Sequence, residues 1–214
     1  MLIAVAHQKG GTSKTTIAFN LAVELNASQC FDLDPDKGGT TGLKFLSEVR
    51  TRLGHQDLNV KQVHNKEELA EAINSDNDDI ITVMDLGGLD SDINRIALGF
   101  ADIVISPAND SILEIGGISE FSKILSEVSE KVGRKITAHT IAARTHHAKR
   151  TWPDIKNACA NTDNMTFSGE AMPNYSGFAD SLAKGLSIKE YSPESSAALH
   201  MHKVAKYIKG LEVN

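Results

Sequence analysis

The chain has 214 residues, 41% hydrophobic and 23% charged, with 22 Lys+Arg against 28 Asp+Glu and a formal net charge of −6. That is one domain's length, 1–214, with enough chain to bury a sizeable core. No apolar run approaches the roughly 20 residues that cross a bilayer. Two cysteines, Cys30 and Cys159, exclude a disulfide framework and a cysteine-based zinc or iron–sulfur site within one chain. These features predict a cytoplasmic protein. The charge is unevenly spread: residues 1–107 carry 9 basic and 16 acidic side chains, while residues 134–214 carry 11 basic and 7 acidic. Five of the eight histidines also fall in the second stretch, so an acidic protein can still offer a basic face to a polyanion.

In chain order, residues 2–6 read as a buried strand, too short and without the basic flank of a signal peptide. A glycine-rich turn follows, then a helix over 14–25 with Ile17, Leu21 and Leu25 on one face. Residues 29–33 form a second strand. Asn65 with Glu68 three residues on predicts a capped helix start. Residues 80–84 and 103–106 are further buried strands around a helix bearing Ile93 and Ile96. A long helix runs from Ile112 to Val132, residues 136–142 form the next strand, and 160–176, rich in Asn, Thr and Ser, reads mostly as loop. The last helix covers about 196–211. Alternating strands and helices predict an α/β fold: a doubly wound, mostly parallel sheet flanked by helices.

Between the first strand and helix stands Gln8-Lys9-Gly10-Gly11-Thr12-Ser13-Lys14-Thr15-Thr16. A strand, a glycine-rich loop and a helix opening on Lys-Thr is the setting of a phosphate-binding loop. Glycines let the backbone curl so that N–H groups share one concavity, and the helix start adds its dipole. Lys14 then reaches the β- and γ-phosphates, and the Thr15 hydroxyl ligates Mg²⁺. The segment 80–85 ends four or more apolar residues with an acid, Asp85, suited to the Mg²⁺ shell.

Lys9-Gly10-Gly11-x-x-Lys14-Thr15-Thr16 resembles the deviant Walker A box of the ParA/MinD family, and three further segments are similar. Asp32-Leu33-Asp34-Pro35-Asp36 resembles the family's switch I segment D-x-D-P-Q, with Asp36 in place of Gln. Asp85-Leu86-Gly87-Gly88 departs from its usual D-x-P-P, and Ser13 stands where most members have glycine. The stretch from Ala171 to Tyr191 looks like the ParA C-terminal region. The resemblance implies a P-loop ATPase fold and an ATP/ADP- and Mg²⁺-dependent ATPase. It implies that Lys9 crosses to the nucleotide of a partner subunit in an ATP-sandwich homodimer, that Asp34 orients the attacking water, and that the Thr40 hydroxyl lies near the metal. Residues Gly10 to Thr16 hold the phosphates, and Arg144, Pro173 and Asn174 fall where the family holds the base. Adenine is favoured because no Asn-Lys-x-Asp or Thr-Lys-x-Asp segment of guanine-specific proteins is present.

Among functions on this loop, the resemblance favours a short ParA-type partition ATPase without an N-terminal helix-turn-helix domain. Such a protein binds DNA non-specifically in its ATP state, associates with the nucleoid and works with a ParB-like adaptor. A MinD-like membrane-cycling ATPase needs a basic amphipathic tail beyond the last core helix, and only three residues follow Leu211; no membrane contact is expected. A dethiobiotin synthetase-like enzyme needs a second catalytic cluster, and none is visible. The candidate DNA contacts are Lys184, Lys189, Lys203, Lys206 and Lys209, with Arg134, Lys135, Lys149 and Arg150 as an alternative cluster on earlier connections.

Overall fold

The computed structural model describes residues 1–34, 42–74, 80–88 and 90–211. Seven strands alternate with nine helices among these residues: β1 (Leu2–Val5), α1 (Lys14–Glu24), β2 (Gln29–Asp32), α2 (Gly42–Arg52), β3 (Val60–Gln62), α3 (Lys66–Asn74), β4 (Thr82–Asp85) and α4 (Asp92–Phe100). The second half comprises β5 (Ile103–Ala108), α5 (Ile112–Val132), β6 (Ala138–Ala143), α6 (Pro153–Ala160), β7 (Met165–Met172), α7 (Ser176–Leu182), α8 (Ile188–Tyr191) and α9 (Ser196–Leu211).

The strands form one sheet in the order β3-β2-β4-β1-β5-β6-β7, and every pairing is parallel. The expected mostly parallel sheet is therefore wholly so. Alternation along each strand sends side chains into two cores. Ala4, Phe31 and Met84 pack against α3 to α6 through residues such as Leu69, Leu98, Phe121 and Ile155. Ile3, Val5, Cys30 and Val83 pack on the other face against Ile17, Leu21, Leu43, Met201, Val204 and Ile208. Both faces covered is what lets central strands be continuously apolar.

β1 lies where the winding reverses, with strands 2 to 4 on one side and 5 to 7 on the other. In open α/β sheets the crevice outside the carboxyl ends at this reversal is where ligands bind. Register brings Val5, Asp32 and Asp85 to one level at that edge.

The capped start at Asn65 is present: its Oδ1 accepts from Glu68 N at 2.9 Å, and Glu68 Oε2 accepts from His64 N at 2.8 Å. The stretch 160–176 is corrected, because β7, residues 165–172, runs through its middle. Its polar residues face outward at the sheet edge while Met165, Ala171 and Met172 are buried. Among the described residues no helix is long and apolar enough to cross a membrane.

Candidate nucleotide site

β1 feeds directly into the loop at 8–13. Ala6 N donates to Ile105 O at 2.9 Å, carrying the sheet one residue past the strand. Gly11 and Ser13 then adopt left-handed backbone, with φ of 77° and 72°, and α1 begins at Lys14. Ser13 thus takes the conformation that glycine adopts freely, at a cost of about 1 kcal/mol. Its side chain makes no cap hydrogen bond that would offset this. The departure seen in the sequence is real in the backbone, and the loop still closes.

Lys14 is buried, and its Nζ donates to the Lys9 carbonyl at 3.1 Å. Burial lowers its pKa, while Asp85, Asp34 and Glu114 pull it back up. The ammonium therefore sits inside the curl of the loop with three carboxylates in range. Gly88 closes the same space. A Cβ there would stand 3.1 Å from Gly10 N and 3.3 Å from Lys14 Nζ. A side chain at 88 would therefore press on the loop.

Asp85, at the end of β4, is 1% exposed, and burial pushes its carboxyl up to about 8 against the pull of the Thr15 hydroxyl. Neither oxygen completes a hydrogen bond among the described residues. A buried, unsatisfied carboxylate beside a threonine hydroxyl at a phosphate loop suits a hard cation that prefers oxygen ligands. Thr15 and Asp85 therefore fit Mg²⁺. Thr40, the third expected metal-side residue, lies outside the described residues.

Asp32 proves architectural. Its carboxylate accepts from Asp34 N at 3.0 Å and Lys44 N at 2.8 Å, tying together the two ends of the segment that follows β2. Gly42, at φ 86°, makes room for it, because a Cβ there would meet Asp32 Oδ2 at 2.6 Å. Asp34 is half-buried and lies within electrostatic range of both Lys14 and Asp85.

Arg144 and Asn174, two of the three expected base-holding residues, line a cleft beside the loop together with Gly11, Thr12, Asn109, Ser111 and Glu114. The Arg144 guanidinium donates to the Gly11 carbonyl, and the Arg144 backbone, at φ 55°, is fixed by its N–H on Met172 O. Asn174 N donates to Thr145 O at 2.9 Å, which brings the end of β7 against the end of β6. Arg144 and Asn174 are thus brought together, while Pro173 is buried behind them. Lys9 is held within its own chain, its Nζ donating to the Leu113 carbonyl at the start of α5. Ile112 and Leu113, 84% and 72% exposed, stand beside it.

His7 and Glu114 were not anticipated. His7 is buried, its Nδ1 3.2 Å from Ser106 Oγ and its Nε2 3.9 Å from Glu114 Oε2. Burial, then Lys14 and Lys9, lower its pKa from 6.5 to about 4. The imidazole is neutral in the folded state and must stay so as pH falls below its unfolded value. Its contribution to stability is full above about pH 6.5 and lost toward about pH 4, a change of about 3 kcal/mol. Urea titrations from neutral to acid pH are expected to show His7→Gln losing stability less steeply than the parent. Equal slopes would mean that His7 is not the acid-sensitive group.

The first 93 residues match the family model described as AAA domain. No curated protein sequence matches the chain. Solved structures are similar over nearly the whole length. A septum site-determining protein MinD complexed with Mg-ADP, from Pyrococcus horikoshii OT3, is 20% identical with a TM-score of 0.67, covering 99% of this chain and 96% of that one. A McdA–ATP complex from Cyanothece is 15% identical at TM-score 0.68, covering 98% and 96%. A putative plasmid partition protein from Borrelia burgdorferi B31, bound to AMPPNP, is 15% identical at TM-score 0.65, covering 99% and 98%. The chain has the ParA/MinD-type ATPase fold. The two-lysine loop stands at the head of the central strand of that fold.

The candidate DNA lysines divide. Lys203, Lys206 and Lys209 are exposed on α9, opposite its buried Met201, Val204 and Ile208. Lys189 is drawn to Glu24 at 3.4 Å, and the Lys184 ammonium lies 4.8 Å from the Tyr191 ring centroid. Arg134 donates to the Gly99 and Ala101 carbonyls, ahead of β6, whereas Arg150 follows β6 at the opposite end of the sheet. The alternative basic cluster is therefore two separate places.

Proposed function

We propose that this protein is a Mg²⁺-dependent ATPase that dimerises around ATP, binds DNA without sequence preference in that state, and segregates DNA with a ParB-like adaptor at the nucleoid. The backbone of residues 10–16 and the Lys14 ammonium hold the phosphates; Arg144, Pro173 and Asn174 hold the adenosine end. Thr15, Asp85 and Thr40 hold Mg²⁺, which when bound neutralises phosphate charge. Asp34 orients the attacking water. Lys9 leaves the Leu113 carbonyl and reaches the nucleotide of the second copy, supplying positive charge where the transition state spreads its negative charge.

The observation that carries the DNA reading is the division of α9 into a fully buried apolar stripe and an exposed lysine face. One subunit offers few cations, and each neutralised phosphate adds a modest, salt-sensitive increment. Dimerisation doubles the surface on one body, which makes binding conditional on ATP without a new residue. Lys203→Glu combined with Lys206→Glu is expected to weaken ATP-dependent DNA binding by at least about tenfold and to flatten its salt dependence. Basal ATP hydrolysis should remain. Unchanged binding in that variant, measured by anisotropy over a salt series, would remove α9 from the DNA contact.

A further inference from the structure

Three of the five histidines in the second half of the chain gather in one place. His146 and His147 stack with ring centroids 4.5 Å apart, His147 lies 6.2 Å from the Tyr175 ring, and Tyr175 lies 6.0 Å from His200. Three elements distant in sequence, the β6–α6 connection, the turn after β7 and α9, thus contribute one row of rings. Two cations converge on it. Arg150 donates to the His147 carbonyl at 2.7 Å, and both Arg150 and Lys203 lie within electrostatic range of the His200 imidazole. His146, His147, Arg150 and Lys203 are exposed.

The row begins next to the nucleotide cleft. Thr145, between Arg144 and His146, accepts the Asn174 N–H, and Asn174 precedes Tyr175. From there the row leads onto the exposed face of α9. That helix runs back along the sheet, for His200 meets the end carrying Tyr175 while Tyr207 Oη reaches His139 at 2.8 Å near the start of β6.

We propose that this row, with Arg150 and Lys203, is the end of the DNA surface nearest the nucleotide, and that it grips duplex phosphates more tightly as its imidazoles protonate. The proposal rests on the DNA-binding reading above. Imidazole is the side chain whose charge ordinarily changes near neutral pH, and each added cation against a phosphate raises affinity through counterion release. Other charged and titratable groups around the row include Glu170 of β7, the Tyr175 phenol, Arg144, and Lys149 with its ion-pair partner Asp110. Burial, with Lys203 and Arg150, lowers the His200 pKa, while Glu170 and a hydrogen bond to the Ala171 backbone oppose this. Phosphate arriving between the cations favours the charged ring, so binding and protonation strengthen each other.

The test is anisotropy of a labelled random-sequence duplex with the full chain and Mg-ATP, at fixed salt, near pH 6 and near pH 8. The parent is expected to bind about tenfold more tightly at the lower pH. His147→Gln with His200→Gln should keep the binding seen near pH 8 and lose the gain, while Arg150→Glu with Lys203→Glu should weaken binding by more than about tenfold at both. ATP hydrolysis in each variant checks that the fold is kept. A parent that binds DNA equally at both pH values, or a His147/His200 variant that retains the full gain, overturns the proposal. So does an Arg150/Lys203 variant that binds like the parent, and in each of these cases the DNA reading stands. A parent that binds no DNA with ATP at either pH removes the DNA reading and this surface with it.

Discussion

Lys14→Ala is expected to lower ATP affinity by at least about 100-fold, the usual scale for removing one partner of a desolvated charge pair. The fold should survive, though not because the side chain is exposed; it is 8% exposed and donates to the Lys9 carbonyl. Removing the ammonium relieves its own desolvation cost and leaves one carbonyl unsatisfied at the rim of the loop. Asp85 loses a cation that lowers its pKa, so it binds a proton more readily. The variant should therefore show parental circular dichroism and a near-parental melting temperature without nucleotide, and no upward shift with Mg-ATP. Parental ATP affinity by calorimetry would show that the loop is not the phosphate site.

Asp34→Ala is expected to separate binding from turnover. The side chain faces the Lys14–Asp85 charge group without a part in the loop's backbone, so ATP affinity should change by less than about threefold. Hydrolysis should fall at least about 100-fold, the scale of losing a group that positions the nucleophile in the transition state. The protein should then collect as an ATP-bound dimer on a sizing column. Lys9→Ala should differ in its assembly, binding ATP as a monomer and losing hydrolysis, if its ammonium acts on the other subunit's nucleotide as proposed. Within its own chain that ammonium is held by the Leu113 carbonyl. An Asp34 variant hydrolysing at the parental rate would leave the water without its proposed guide.

The glycine-rich loop between β1 and α1 and the acid that ends β4 were legible in the sequence because each depends on residues adjacent along the chain. Lys14 and Thr15 follow a glycine turn, and Asp85 closes an apolar run; these patterns are local. The functions of Asp32 and Asp34 could not be told apart that way, since two acids one residue apart at a strand end look alike. What separates them is Gly42, whose bare Cα lets Asp32 reach the Lys44 N–H.

The site's second layer was invisible for the same reason. His7 precedes the loop in the sequence, yet its neighbours Ser106 and Glu114 arrive only once β5 and α5 are docked. β7 was read as loop because it is an edge strand with outward polar residues, and composition reports exposure there rather than backbone shape. No sequence pattern announces α2, β3, α6, α7 and α8: four of them have eight residues or fewer, and α2, with 11, buries only Leu43, Ser47 and Arg50. The C-terminal segment holding α7 and α8 is anchored by a distant pair, Arg50 with Glu190 at 2.7 Å and with the Gly185 carbonyl at 2.9 Å. No local pattern announces such a contact.

On the proposed reading the nucleotide decides whether this surface holds DNA. Its most direct test is co-sedimentation of the full chain with random-sequence duplex DNA in Mg-ATP, in Mg-ADP and without nucleotide, beside the same three conditions with anionic liposomes. The protein is expected to sediment with DNA in ATP alone and with liposomes in none. DNA binding that ignores the nucleotide, or liposome binding that requires ATP, would contradict it.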